Sequence, residues 1–186
     1  MFVLYLSFVF NVATGSNHQA PDPSTVHYNT TMQELKEALN TGERIWMKKR
    51  NYSANIDCIY WLKINLSDTG YSFFEWFRKD PQWKSYKEYA KLENGTTGPV
   101  MRIRLDVQKE KQAIPYTFKY WNSKEKCGIF EHQDRMCEQY AWNSTIKTTT
   151  ECDKAYKAIC GTSSIPVYKY SCINPNAICI GPRSSC

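Results

Sequence analysis

Residues 58–92 read CIYWLKINLSDTGYSFFEWFRKDPQWKSYKEYAKL, and this stretch decides the fold. It contains three runs rich in aromatic and β-branched residues, a composition that favours pleated strands. The link LSDTGY between the first two runs carries the Asp-x-Gly turn chemistry of short antiparallel connections. The stretch therefore predicts consecutive antiparallel strands joined by hairpins.

Runs of the same composition, separated by turn residues, extend from this stretch in both directions. Eight predicted strands cover residues 44–52, 58–66, 71–79, 84–92, 100–108, 114–122, 127–132 and 137–143. A short amphipathic helix is predicted within Ser24–Gly42, where apolar residues have helical spacing. A second helix is predicted over 148–160, opening on threonines that can cap it, and a short extra strand over 166–172.

This element order predicts a lipocalin-like fold. We expect an all-β, eight-stranded antiparallel up-and-down barrel with an N-terminal and a C-terminal helix and room for one small ligand. Alternation in the fifth strand supports a closed barrel, because Met101 and Ile103 share one face while Arg102 and Arg104 share the other. The alternative is an immunoglobulin-like sandwich, whose Cys-Trp-Cys spacing is absent.

Length, charge and hydropathy exclude several classes of protein. The chain of 186 residues is long enough for one domain with a real core. Its net charge of +6 comes from scattered residues rather than a basic block, which gives nucleic-acid binding no support. No apolar run reaches the roughly 18 residues that a membrane span requires. No Cys-x-x-Cys pair occurs and the chain has 3 histidines, so no metal site is expected.

The N-terminus and the cysteines indicate secretion. Residues 1–15 contain the apolar run FVLYLSFVFNVA, and they are interpreted as a signal peptide ahead of a single domain at 16–186. Glycosylation is predicted at the Asn-x-Ser/Thr sequons, which are at Asn29, Asn51, Asn65, Asn94 and Asn143. The 8 cysteines predict four disulfides, and the last two cysteines lie in a turn-rich tail at 173–186.

The candidate functional residues favour binding over catalysis. No nucleophile motif and no Gly-rich phosphate loop occurs, and His132 is the only histidine in a predicted strand, so neither enzyme activity nor a cofactor is expected. Two strands instead place an acid between aromatic residues on one face: Phe73, Glu75 and Phe77, and then Glu138, Tyr140 and Trp142. A carboxylate flanked by aromatic rings is what a small organic cation needs.

Three stretches together resemble the tick salivary lipocalins of the histamine-binding protein family. The first is ALNTGERIWMKKRNY at 38–52 followed by DCIY, and another is ECDKAYKAIC at 151–160 with VYKYSC. Between them lies the family's amine-binder pattern, Cys-Asp-(Val/Ile/Leu), Glu-Leu-(Trp/Tyr) and Cys with two spacers. Here this pattern reads Cys127-Gly128-Ile129, Glu138-Gln139-Tyr140 and Cys152.

The resemblance implies two disulfides, Cys58–Cys172 and Cys127–Cys152. The pairs Cys137–Cys160 and Cys179–Cys186 are added by elimination and proximity. The chain also departs from the family. Of the amine-contacting residues only Glu138 and Tyr52 remain, since Gly128, Asn55 and Ala38 stand where the family has acidic or polar residues.

The resemblance and the residues together predict a secreted, monomeric salivary lipocalin that sequesters a small host mediator, a biogenic amine such as histamine or serotonin. We expect Glu138 and Glu75 to act as counter-ions, and the aromatic walls to be Tyr52, Tyr140, Trp142, Phe73 and Phe77. One alternative is a lipid mediator, such as a leukotriene or thromboxane, bound through Arg102 or Arg104 if that face turns inward. Another is an inhibitor of host plasma proteins of complement or clotting, with the barrel as a scaffold.

Overall fold

The computed structural model describes residues 29–79, 81–105 and 112–173 of the chain. The predicted signal peptide at 1–15 and the expected Cys179–Cys186 bridge lie outside these residues. Within the described ranges, no helix is both long and apolar enough to cross a membrane.

Eight antiparallel strands close into a barrel. The elements are α1 (Met32–Leu39), β1 (Ile45–Arg50), β2 (Asp57–Leu66), β3 (Gly70–Lys79), β4 (Gln82–Gly95), β5 (Gly98–Leu105), β6 (Ile114–Asn122), β7 (Cys127–His132), β8 (Met136–Trp142), α2 (Thr150–Cys160) and β9 (Ile165–Pro166). Strands β1 to β8 pair consecutively, and β1 also pairs with β8, so the sheet closes on itself. The predicted lipocalin-like barrel is confirmed, and the sandwich alternative is wrong.

Helix α1 begins later than the start of the predicted Ser24–Gly42 segment, because a capping box at Thr31 fixes its first turn. The Glu34 backbone N–H donates to the Thr31 hydroxyl at 3.2 Å, and the Thr31 backbone N–H donates to the Glu34 carboxylate at 2.8 Å. Leu35 and Leu39 on one face of the helix are buried in the barrel core. Helix α1 therefore covers one end of the barrel interior.

The predicted strand at 166–172 is wrong beyond its first residue. Strand β9 ends at Pro166, and Tyr170–Cys172 form a 3-10 turn. Between them, the Val167 N–H donates to β1 and the Val167 carbonyl accepts from the Cys58 N–H of β2, both at 3.0 Å. The chain must then turn to bring Cys172 to Cys58, so the ladder cannot continue.

Side chains alternate between the inside and the outside of the barrel wall. The buried inward residues of the strands are Ile45, Met47, Ile59, Trp61, Tyr71, Phe73, Phe77, Ala90, Leu92, Met101, Ile103, Phe118, Phe130 and Tyr140. On the outside, Ile129 and Cys137 are buried against Ala155 and Tyr156 of α2. Helix α2 therefore covers the outer wall of the barrel at β6, β7 and β8.

Three disulfides fix the C-terminal part of the chain to this wall. They are Cys58–Cys172, Cys127–Cys152 and Cys137–Cys160, and they coincide with the expected pairs. Disulfides of this number are typical of proteins that fold in an oxidising compartment, which supports secretion.

The N-terminus of α2 is capped by a residue from another part of the chain, not by the predicted threonines. Thr149 stands at the N-cap position without a side-chain capping hydrogen bond. Instead, the backbone N–H groups of Glu151 and Cys152 each donate to the Glu125 carboxylate at 3.0 Å. Glu125 also lies beside Cys127 and Cys152, but both sulfurs are in a disulfide and are not available to a metal ion.

We expect Glu125→Ala to lower the free energy of unfolding by about 1 kcal/mol. The change removes a cap and a negative charge from the positive end of the α2 dipole. Urea unfolding followed by circular dichroism measures the effect, with Lys124→Ala as an exposed control in the same turn. Equal stability of the two variants would contradict the capping role.

Candidate functional site

Glu138 lies at the centre of the candidate site, on the inward face of β8, and is 1% exposed. The Tyr140 hydroxyl donates to its Oε2 at 2.9 Å, and the Tyr52 hydroxyl donates to its Oε1. The Nε2 atom of His132 lies 3.3 Å from the same Oε1. Two phenol groups therefore fix the orientation of this carboxyl group inside the barrel.

A stacked indole ring connects Glu138 to a second carboxyl group. Trp61 on β2 stacks on the Tyr140 ring with centroids 4.1 Å apart, and its Nε1 donates to Glu75 Oε2 at 3.0 Å. Glu75 on β3 and Glu138 on β8 are thus linked through Trp61 and Tyr140. Trp61 was not among the predicted site residues, although Ile59, two residues earlier on β2, shares its inward face.

Glu88 on β4 supplies a third inward carboxyl group, which the sequence analysis also missed. It shares its face with the buried Ala90 and Leu92. Its register partner on β3 is Phe73, which lies two residues from Glu75. Such diagonal neighbours are about 7–8 Å apart, within reach of long side chains. The alternation of Glu88, Ala90 and Leu92 was the signal in the sequence.

Burial raises the pKa of both Glu75 and Glu88. Loss of water raises the pKa of Glu75 to about 7, the Trp61 N–H opposes this change, and the charge of Glu138 reinforces it. Loss of water also raises the pKa of Glu88 to about 8, assisted by the charges of Glu75 and Glu138. At neutral pH the interior therefore holds these acids partly protonated.

Little positive charge in the described part of the chain balances the three acids. His132 beside Glu138 is the one possible ion-pair partner that the described residues offer them. Arg50 also faces inward, but its guanidinium donates to the carbonyl oxygens of Ala54 and Ile56. Acids grouped in a barrel interior with so few basic neighbours destabilise a fold and are typical of functional sites.

We expect the ligand-free protein to lose stability as the pH rises from about 5 to 8. Folding raises the pKa of Glu75 to about 7 and of Glu88 to about 8, so the folded state binds more protons than the unfolded state in this range. The resulting stabilisation is complete below the unfolded pKa and is lost as the pH rises through the folded values.

Glu88→Gln removes one of the two titrating groups, and we expect it to flatten the pH profile and to raise the free energy of unfolding at pH 8 by about 1 kcal/mol. Thermal unfolding across the pH range measures this change. Glu131→Gln is the control, because Glu131 pairs in register with the outward Cys137. Profiles of wild type and Glu88→Gln that run in parallel would refute the prediction.

The other predicted wall residues divide between the two ends of the barrel. Phe73 and Phe77 flank Glu75 on the inward face of β3, and the Phe73 ring lies 5.2 Å from the Trp61 ring. Trp142 lies elsewhere, since its Nε1 donates to the carbonyl of Ala38 in α1 at 2.9 Å. Although Trp142 shares a face with Glu138, four residues of strand separate them by about 13 Å. Trp142 lines a narrow cavity next to α1 together with Trp61 and Tyr140, and its role as a ligand wall stays a prediction.

A different set of residues lines the barrel interior next to α1. A narrow cavity remains there, and none of its lining residues is acidic. At Gly128, where the family pattern has an aspartate, a Cβ atom would lie 2.8 Å from the Phe118 ring, so an aspartate does not fit. Ala38 is buried at this end, and Asn55 is exposed on an outer groove.

The two arginines proposed for a lipid carboxylate do not face the interior. Arg102 forms an ion pair with Glu93 on the outer face of the β4–β5 pair. The guanidinium of Arg104 lies 5.1 Å from the centroid of the Tyr89 ring. Met101 and Ile103 take the inward positions of β5 instead.

His132 is the residue on which an enzyme hypothesis depends. Its ring stacks on Tyr116 with centroids 4.5 Å apart, and its hydrogen-bond partner among the described residues is Glu138. A serine or cysteine nucleophile in contact with this histidine, as covalent catalysis requires, is not found in the described ranges.

Four of the sequon asparagines are exposed, namely Asn29, Asn65, Asn94 and Asn143. Asn51 is half-buried, its Nδ2 donates to the Arg135 carbonyl at 3.0 Å, and its Oδ1 accepts from the Cys137 N–H at 2.8 Å. Glycosylation stays a prediction at every sequon, and at Asn51 a sugar would compete with a native hydrogen bond.

No protein-family model matches this chain, and no curated protein matches it. Among solved structures, the chain is similar to Japanin from Rhipicephalus appendiculatus, a tick salivary lipocalin bound to cholesterol, with a TM-score of 0.52. The similarity covers 70% of this chain and 94% of that chain at 10% sequence identity. At this identity the likeness supports the lipocalin-like fold alone, and membership of the histamine-binding family stays a prediction.

Proposed function

We propose that the protein captures a small organic cation of the biogenic-amine class inside its barrel. The observation that carries this proposal is the set of three inward carboxyl groups, Glu75, Glu88 and Glu138, among which Glu138 is 1% exposed. Among the described residues, these acids have no ion-pair partner other than His132. A bound ammonium group would supply the missing positive charge.

The rings around the acids suit an ammonium group. Trp61 and Tyr140 stack on each other, and Phe73 lies next to Trp61, so aromatic surface adjoins both Glu75 and Glu138. The cation–π interaction with such a ring stabilises a bound cation by about 0.5–2 kcal/mol, with the larger values in sites that exclude water. The rings and the acids therefore act on the same part of the ligand.

Capture needs no chemical step beyond proton release. The ammonium pairs with the Glu138 carboxylate, and its charge lowers the pKa of Glu75 and Glu88 so that a proton leaves as the cation enters. The disulfides and the fold likeness to a salivary lipocalin support a secreted protein that sequesters a host mediator. Binding is then stoichiometric.

A neutral lipid is the second candidate ligand, because Japanin is bound to cholesterol in its solved structure. A sterol needs apolar walls and no counter-ion, so it would leave the three inward acids unexplained. A lipid carboxylate, which carries no ammonium group to pair with them, would in addition be repelled by their charge. These electrostatics favour the amine.

Isothermal titration calorimetry of the protein secreted from a eukaryotic host tests the proposal. We expect histamine, serotonin or tyramine to bind with one-to-one stoichiometry. N-acetylserotonin is the matched control ligand, because acetylation removes the positive charge, and it should bind at least about 100-fold more weakly than serotonin. Binding of cholesterol or a leukotriene, with no binding of any amine, would overturn the proposal.

A further inference from the structure

Arg50 belongs to the wall of the acidic site. It is the last residue of β1, and its register partner on β8 is Glu138, so both side chains lie on the inward face. Arg50 is 2% exposed, which is rare for an arginine. Its guanidinium carbon lies 5.2 Å from the centroid of the Tyr52 ring, whose hydroxyl donates to Glu138.

The hydrogen bonds of this buried guanidinium are incomplete. Nη2 donates to the carbonyl oxygens of Ala54 and Ile56, at 2.7 and 2.8 Å, and so holds the segment between β1 and β2. The Nε atom is buried and has no acceptor among the described residues. A buried charged donor without an acceptor is costly, so Nε can gain from an acceptor that the described residues do not supply.

The neighbouring acid does not take this donor. Glu138 is already bonded to the hydroxyl groups of Tyr52 and Tyr140 and faces His132. Arg50 forms no ion pair with Glu138 in the described part of the chain, although the two residues are register partners. The Nε–H of Arg50 is thus a buried donor without an acceptor in the described part of the chain, on the residue that pairs in register with Glu138.

We propose that Arg50 is a specificity-determining residue whose Nε–H donates to an oxygen atom of the ligand. The ligand then carries an ammonium group, which Glu138 binds, and a hydroxyl or carboxylate oxygen, which Arg50 binds. This inference rests on the proposed capture of an amine, and it narrows the ligand to amines with an oxygen acceptor.

Ligands that differ by one oxygen group test the inference on the wild-type protein. Tryptamine is the reference, serotonin adds a hydroxyl group, and tryptophan adds a carboxylate. Phenethylamine, tyramine and phenylalanine form a second series with the same differences. We expect the hydroxyl or the carboxylate ligands to bind at least about tenfold more tightly than the reference amines, because Nε is a charged donor.

Arg50→Lys tests the role of the Nε atom separately from that of the terminal nitrogen atoms. A lysine has a methylene group at the Nε position, while its ammonium can still reach the carbonyl oxygens of Ala54 and Ile56. We expect this variant to lose the advantage of the oxygen-bearing ligands over the reference amines, whatever its own affinity for tryptamine. Arg102→Lys, on the outer face of β5, is the matched control.

The outcomes separate this inference from the proposed function. If no amine of either series binds, amine capture itself fails. If the reference amines bind as tightly as the oxygen-bearing ligands, amine capture stands and the role of Arg50 is refuted. The wild-type comparison decides this point even where Arg50→Lys lowers the melting temperature. An advantage that persists in a folded Arg50→Lys protein would also refute the role.

Discussion

Glu138→Gln is expected to weaken amine binding by about 100-fold. Glutamine keeps the size of the side chain and can still accept from the Tyr140 hydroxyl, which donates to Glu138 at 2.9 Å. It cannot balance a buried ammonium, and loss of one partner of a buried charge pair costs about 2–5 kcal/mol. The loss should therefore be in affinity, and the fold should be retained.

Calorimetric titration of an amine into wild type, Glu138→Gln and Glu131→Gln measures this loss. Glu131 pairs in register with the outward Cys137, so the control makes the same chemical change on the other side of the wall. We expect wild-type affinity for the control. A Glu138→Gln protein with the wild-type melting temperature and undiminished affinity would remove Glu138 from the site.

We expect Glu75→Gln to lower the amine affinity less than Glu138→Gln does. Glu75 is held by one donor, the Trp61 N–H at 3.0 Å, and the pKa of Glu75 is raised to about 7, so it carries only part of a charge near neutral pH. Glu138 has two phenol donors and is 1% exposed. The principal counter-ion is therefore on β8, and Glu75 and Glu88 respond to the cation by releasing protons.

The inward position of Glu75 and Glu138 could be predicted because strands have a period of two residues. Each acid lies between aromatic residues on a strand with clear alternation, so its face is defined by its neighbours. Glu88 was missed because the first half of β4 is exposed, and the inward pattern begins only at Ala90 and Leu92. The polar half of the strand does not show which side is buried, so the only signal for Glu88 was its alternation with these two apolar residues.

The inward position of Arg50 could not be predicted, and the reason is different. Ile45 and Met47 are inward, and simple alternation would place Lys49 inward and Arg50 outward. A bulge between Met47 and Lys49 shifts the register against β8 and brings Arg50 to the face of Glu138. One extra residue therefore reverses the side of every residue after it.

Trp142 shows a further limit of periodicity. Its face was predicted correctly, but a period of two residues does not give the depth along the barrel. The position of α1 decides that depth, because the Ala38 carbonyl accepts the Trp142 N–H at 2.9 Å. This contact joins two segments that are far apart in the sequence, so no local pattern contains it.

Removal of the Cys58–Cys172 disulfide is expected to give the largest loss of stability of any change in the described part of the chain. The bridge joins residues with a sequence separation of 114, and Cys58 is 0% and Cys172 5% exposed. In the chain-entropy model a loop of this length contributes about 5 kcal/mol, which is comparable to the whole stability of a small domain.

The double variant Cys58→Ala/Cys172→Ala tests this expectation, since alanine leaves no unpaired polar group in the buried site. Its counterpart Cys137→Ala/Cys160→Ala removes a bridge with a separation of 23, for which the same model gives about 3 kcal/mol. Urea unfolding should rank the two variants in this order. The Cys58–Cys172 bridge also stabilises the local structure. Cys172 ends the segment that lies across β1 and β2, and the bridge holds Val167 of this segment against Cys58. If the two double variants lost equal stability, loop closure would not be the source of the stabilisation, and packing around the buried sulfurs would have to explain it.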